Sequence, residues 1–89
     1  MVSVVEPPDR SVLFIAPELP RSQMLLRAVV PPDASTVRFR LNGQVLGSVS
    51  AERPEMITNL APGDYQLEVE AATPAGPVFA HSTFRVVQP

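Results

Sequence analysis

Pro62-Gly63-Asp64-Tyr65-Gln66-Leu67-Glu68-Val69-Glu70-Ala71 is the stretch that decides the fold. After the Pro-Gly-Asp turn signal, Tyr65, Leu67, Val69 and Ala71 alternate with Gln66, Glu68 and Glu70 without a break. Successive side chains leave a pleated strand on opposite faces, so a strict period of two predicts a strand with one face buried and one wet. Val37-Arg38-Phe39-Arg40-Leu41 alternates as cleanly, with both arginines outward, and Thr83-Phe84-Arg85-Val86 places Phe84 and Val86 inward.

Working outward, Asn42-Gly43 joins strand 37–41 to a strand over 44–50. Both residues tolerate the positive φ that a two-residue type I′ hairpin demands. Eleven prolines, at 7, 8, 17, 20, 31, 32, 54, 62, 74, 77 and 89, punctuate the rest. Each removes a backbone donor and fixes φ, which breaks helix interiors and confines proline to turns and strand ends. The segments between them predict strands over 2–6, 11–16, 23–30, 54–60 and 78–87, the 54–60 strand being a short edge strand carrying Met56 and Ile57. In 23–30 the expected inward set is Met24, Leu26, Ala28 and Val30, with Arg27 outward. A short helix from Ser22 competes there, because Met, Leu, Arg and Ala are good helix formers. The Val29-Val30-Pro31 ending favours a strand, since β-branched and pre-proline residues prefer extended backbone.

Seven or eight short strands with turn signals at regular spacing predict an all-β fold, an immunoglobulin-like antiparallel β-sandwich. In such sandwiches a tyrosine near the start of the sixth strand turns its hydroxyl back to the backbone at a corner. Tyr65 occupies that place, and Leu67 stands where antibody domains have a disulfide cysteine. The corner is therefore expected without the disulfide. Arg38 and Arg40 on one strand and Glu68 and Glu70 on its expected neighbour predict cross-strand ion pairs, with Arg85 joining them.

The chain has 89 residues, enough for one domain with one small core, so residues 1–89 are read as a single sandwich domain. Net charge is −2, with seven arginines, no lysine and no clustered basic patch, which argues against a nucleic-acid partner. The absence of cysteine excludes disulfides and thiolate metal sites. The longest apolar run, 12–16, is far short of the ~20 residues needed to span a bilayer. No basic stretch precedes an apolar signal segment. A strand pattern starting directly after Met1 is read as an excised module of a longer protein.

No residue is assigned a catalytic, cofactor-binding or metal-binding role, and no cofactor is expected. His81 is the only histidine and reads as a surface or half-buried polar residue. Asp9, Asp33 and Asp64 sit beside prolines or glycine, where aspartate caps turns. Glu52 and Glu55 flank Pro54 in a loop without a pocket. No serine lies in a nucleophile-elbow context. Phe14, Phe39, Phe84 and Tyr65 are expected inward and Phe79 is unplaced, which leaves no aromatic platform for sugars. Hydrogen-bonded recognition of glycan or peptide stays open.

The motif series resembles the small C-terminal domain of bifunctional penicillin-binding proteins, the transglycosylase-transpeptidases of bacterial cell-wall synthesis. It runs through Val5-Glu6-Pro7-Pro8-Asp9, Phe14-Ile15-Ala16-Pro17-Glu18-Leu19-Pro20, Gln23-Met24-Leu25-Leu26, Val37 to Gly43, Leu46-Gly47, Pro62 to Val69, and Phe84-Arg85-Val86. Arg10 stands where that family usually has glycine, Phe39 and Met56 where it often has tryptophan, and Ala71 to Gly76 replaces its usual Asp-x-x-Gly turn. The resemblance implies a non-catalytic, extracytoplasmic accessory module, with any catalytic domains elsewhere in the full-length protein. Its implied partners are peptidoglycan or a cell-wall partner protein. The alternative is a generic immunoglobulin- or fibronectin-like spacer or adhesion domain of a bacterial surface or secreted protein. The oligomeric state stays open, and exposed edges at 2–5 and 44–50 are the places where copies could pair.

Overall fold

A computed structural model describes residues 2–15, 18 and 22–88, with Ser22 described in its backbone alone. The last residue of the expected 11–16 strand, Ala16, and most of the Pro17-Glu18-Leu19-Pro20 motif lie outside the described residues. Among the described residues there are eight strands: β1 (Ser3–Glu6), β2 (Ser11–Phe14), β3 (Ser22–Val29), β4 (Thr36–Leu41), β5 (Gln44–Ser50), β6 (Glu55–Leu60), β7 (Gly63–Thr73) and β8 (Gly76–Val87). The segment after Ser22 is a strand, not a helix.

The strands form two sheets, β1-β3-β6 and β2-β8-β7-β4-β5, and β6 is an edge strand. All pairs are antiparallel except β2 with β8, which run parallel from Ser11 opposite Phe84 to Phe14 opposite Val87. The chain crosses from the first sheet to the second at Pro7-Pro8, after a cis Glu6-Pro7 bond. Ser82, the one buried polar residue among those described, donates its hydroxyl to the Pro7 carbonyl at 2.8 Å and holds this crossover against β8.

The core fills the space between the sheets. Val37, Phe39 and Leu41 of β4, Leu67 and Val69 of β7, and Phe84 and Val86 of β8 face Leu26 and Ala28 of β3 and Leu60 of β6. Met24, Val30 and Tyr65 pack against this cluster from the rim. The inward set read for 23–30 is thus the one the fold uses. Gly47 lets β5 approach the opposite sheet, because a Cβ there would stand 3.1 Å from the Met56 side-chain end.

Asn42 and Gly43 have φ of 50° and 81°, as a type I′ hairpin requires. Asn42 does more than turn the chain. Its side-chain oxygen accepts the Gln66 N–H at 2.8 Å and its amide donates to the Asp64 carbonyl at 3.3 Å, which extends the β4–β7 ladder past the strand end. The β7–β8 hairpin is closed by a two-residue loop. Thr73 and Gly76 already pair, leaving Pro74 and Ala75 as the loop, and Thr73 Oγ1 donates to the Gly76 carbonyl at 2.6 Å.

Candidate functional site

The outward positions of β2, β8, β7 and β4 form one face, polar at its centre and apolar at Val12, Phe14 and Phe79. Strand register arranges them in rows across the sheet: Val12 beside Arg85 beside Asp64, then Thr83 beside Gln66, then His81 beside Glu68 beside Arg40, then Phe79 beside Glu70 beside Arg38. The corner below these rows is fixed by Tyr65. Its hydroxyl donates to the Ala61 carbonyl at 2.6 Å, and its ring stacks on Phe84 with centroids 5.4 Å apart. Leu67, in the position of the missing cysteine, is fully buried.

The centre of the face is a charge network. Arg40 Nη1 donates to Glu68 at 2.7 Å and to Glu70 at 3.0 Å, and His81 Nε2 lies 3.0 Å from the second Glu68 oxygen. Hydrogen bonding to Arg40, and then to His81, holds the Glu68 carboxyl below the usual glutamate range. The same bonds, first to Glu68 and then to Glu70, raise the Arg40 guanidinium. Two expected partners fall elsewhere. Arg38 lies opposite Glu70 in register, but Arg40 takes that carboxylate. The β4–β5 register shifts between Phe39 and Arg40, and such irregularities increase local twist and re-aim side chains. Arg85 does not join the network. Its direct neighbour is Asp64, which its Nε meets at 2.7 Å.

Two of the three aspartates act across the fold rather than locally. Asp9 accepts the Thr83 N–H at 2.8 Å, while Asp64 holds Arg85. Asp33 lies in a turn closed by the Ala34 N–H on the Pro31 carbonyl at 3.0 Å. Glu55 belongs to β6 and faces Arg27 at 3.4 Å, whereas Glu52 stays in the preceding turn, so the structure does not bring the two carboxylates together as a pair.

The aromatic expectation needs one correction. Phe39, Phe84 and Tyr65 face inward, but Phe14 is 70% exposed. Parallel pairing places Leu13 opposite the inward Val86, and this sends Val12 and Phe14 to the outer face. Phe79 is outward as well, 49% exposed. The two rings lie at opposite ends of β8, about 25 Å apart along a strand that rises ~3.3 Å per residue, so they make no common platform.

One feature of this face carries backbone strain. Arg10 has φ of 62°, a left-handed conformation that costs an L-residue about 1–2 kcal/mol and suits glycine. Its N–H bonds the Thr83 carbonyl, and Ser11 Oγ donates to the Pro8 carbonyl at 2.7 Å. The turn is therefore tied down on both sides. Beside it, between β2 and β8, lies a shallow depression of about 300 Å³ lined by Arg10, Val12, Asp64, Thr83 and Arg85. A second of about 210 Å³ lies over Glu68, Arg40 and His81. Among the described residues no cluster of three or more His, Asp or Glu could hold a metal, and no helix is long and apolar enough to cross a membrane.

Two sheets in this order and a tyrosine corner define an immunoglobulin-like β-sandwich. The fibronectin(III)-like modules of Clostridium thermocellum CbhA superpose with a TM-score of 0.76 at 21% identity, covering 99% of this chain and 98% of theirs. An engineered protein superposes at 0.65 and 17% identity, with 98% of this chain covering 20% of that one. Comparison with curated protein sequences gives no match. The profile of the penicillin-binding protein C-terminus family matches residues 1–73, and the chain belongs to that family.

Proposed function

We propose that the chain is a non-catalytic accessory module of a bifunctional penicillin-binding protein, acting outside the cytoplasm and contacting peptidoglycan or a cell-wall partner protein. Family membership over residues 1–73 carries this reading. The chemistry of the surface supports it. Arg40, Glu68, Glu70 and His81, and separately Arg85 and Asp64, are engaged with each other on the five-stranded face, an arrangement that suits a contact surface better than acid–base turnover.

Cosedimentation of the purified domain with isolated peptidoglycan tests the reading. Retention in the pellet, with release by soluble muropeptides, is the expected result. The full-length gene supplies an independent check, since this reading requires transglycosylase and transpeptidase segments in the same polypeptide. A spacer domain is the second reading, supported by the full-length likeness to the CbhA fibronectin(III)-like modules. It predicts no retention on peptidoglycan and repeated copies of the same sandwich along the parent chain.

A further inference from the structure

We propose that the depression between the Asp9-Arg10 turn and the outer face of β8 binds a small monovalent carboxylate, held by the Arg10 and Arg85 guanidiniums, with Val12 as the apolar flank for its substituent. This inference stands on the geometry of that corner and does not depend on the proposed function.

Three observations carry it. The first is the placement of Arg10. The turn needs a left-handed residue, and the residue there is an arginine, whose exposed side chain has no ion pair among the described residues. Strained non-glycine backbone that its surroundings hold in place is found preferentially at ligand sites. Here the surroundings do hold it, through the Arg10 N–H on the Thr83 carbonyl and Asp9 on the Thr83 N–H at 2.8 Å.

The second observation is convergence. Arg10 and Arg85 come from separate elements and line the same depression of about 300 Å³, a volume at the small end of ligand pockets. Arg85 spends its Nε on Asp64 at 2.7 Å, which orients the guanidinium and leaves its terminal amino groups as donors. Planar guanidinium donors match planar carboxylate acceptors.

The third is charge. Two guanidiniums and the Asp64 carboxylate leave one net positive charge in the lining itself, with the Asp9 carboxylate held just outside it on the Thr83 N–H. A single carboxylate neutralises it, whereas a phosphate dianion would leave the site negative. Val12 is half exposed on the wall and gives it an apolar flank.

The experiment is a titration of the 15N-labelled 89-residue chain followed by NMR, with N-acetylalanine, its carboxamide and inorganic phosphate as probes. N-acetylalanine is expected to shift the Arg10, Ser11, Val12, Thr83 and Arg85 amides in a saturable way. The carboxamide should leave them unmoved, and phosphate should bind more weakly than the carboxylate. Arg10→Gly is the informative variant, because the left-handed φ suits glycine and the fold is kept. It should weaken N-acetylalanine about tenfold, the effect of losing one charge-assisted hydrogen bond, and Arg85→Gln should do the same. Non-saturable shifts, equal shifts with the carboxamide, tighter phosphate binding, or unchanged affinity in Arg10→Gly each overturn the proposal.

Discussion

The two sheets of this sandwich bury similar inner faces and present very different outer ones. Outside the five-stranded sheet, Gln66, Glu68 and Glu70 of β7 lie between Arg40 on one side and His81 and Arg85 on the other. Outside the three-stranded sheet, Leu25 lies directly opposite Ile57, with Val29 and Val5 exposed nearby, and the Arg27–Glu55 pair is the main charged feature. Ile57 is 65% exposed. A core needs only one apolar face per sheet, so the outer face is free to vary. That freedom governs how clearly each strand announces its orientation in the sequence.

The comparison can be broken most decisively at the aromatic positions. Phe39 is fully buried and Phe14 is not. Phe39→Ala should cost about 3–5 kcal/mol, a large share of the stability of a domain this size, while Phe14→Ala should stay within about 0.5 kcal/mol. Urea unfolding of both variants measures the difference, and equal losses would contradict the parallel register of β2.

Next in size is the corner. Tyr65→Phe keeps the ring stacked on Phe84 and removes only the bond to the Ala61 carbonyl, so a loss of about 1–1.5 kcal/mol is expected by the same method.

The charge network should give a smaller effect with a pH signature. Arg40→Gln should lower the urea midpoint more than Arg38→Gln at neutral pH, since Arg40 holds both glutamates. Glu68 has its folded pKa lowered, so its contribution is present above the ordinary glutamate value and is lost as pH falls through the lowered one. The gap between the two variants should therefore close in acid. A gap that is unchanged by acid would mean that Arg40 contributes through its alkyl packing rather than through charge.

The smallest effect belongs to the other sheet. Ile57→Thr on its exposed outer face should change stability by no more than about 0.5 kcal/mol, and a greater loss by urea unfolding would show that the residue is covered in solution.

Legibility in the sequence follows the same contrast between faces. In β7 every outward residue from 66 to 70 is polar or charged, so parity, strand neighbours and the tyrosine corner could all be read. In β2 and the residue after it, Val12, Leu13, Phe14 and Ile15 are all apolar, and nothing in that run states which pair faces in. Orientation there is settled by the distant β8, where Leu13 meets Val86. That is why Phe14 was expected inward. β3 shows an intermediate case. Leu25 and Leu26 blur the alternation enough to leave a helix open, and the β-branched, pre-proline ending resolves it. At the candidate site, the Arg40 link to Glu68 and Glu70 could be foreseen from facing alternations. The Arg85–Asp64 pair could not, because it depends on register between β7 and β8. Ser82 was within reach, since it continues the inward series of Phe84 and Val86.

The parallel pairing of β2 with β8 has a mechanical consequence. One strand lies near the start of the chain and the other near its end, side by side and pointing the same way from Ser11–Phe84 to Phe14–Val87. Tension applied at the two ends therefore drags these strands past each other along their length. The inter-strand bonds share such a load together, whereas an antiparallel hairpin pulled at its open end unzips one bond at a time. Resistance to a pull is set by the unfolding rate rather than by equilibrium stability.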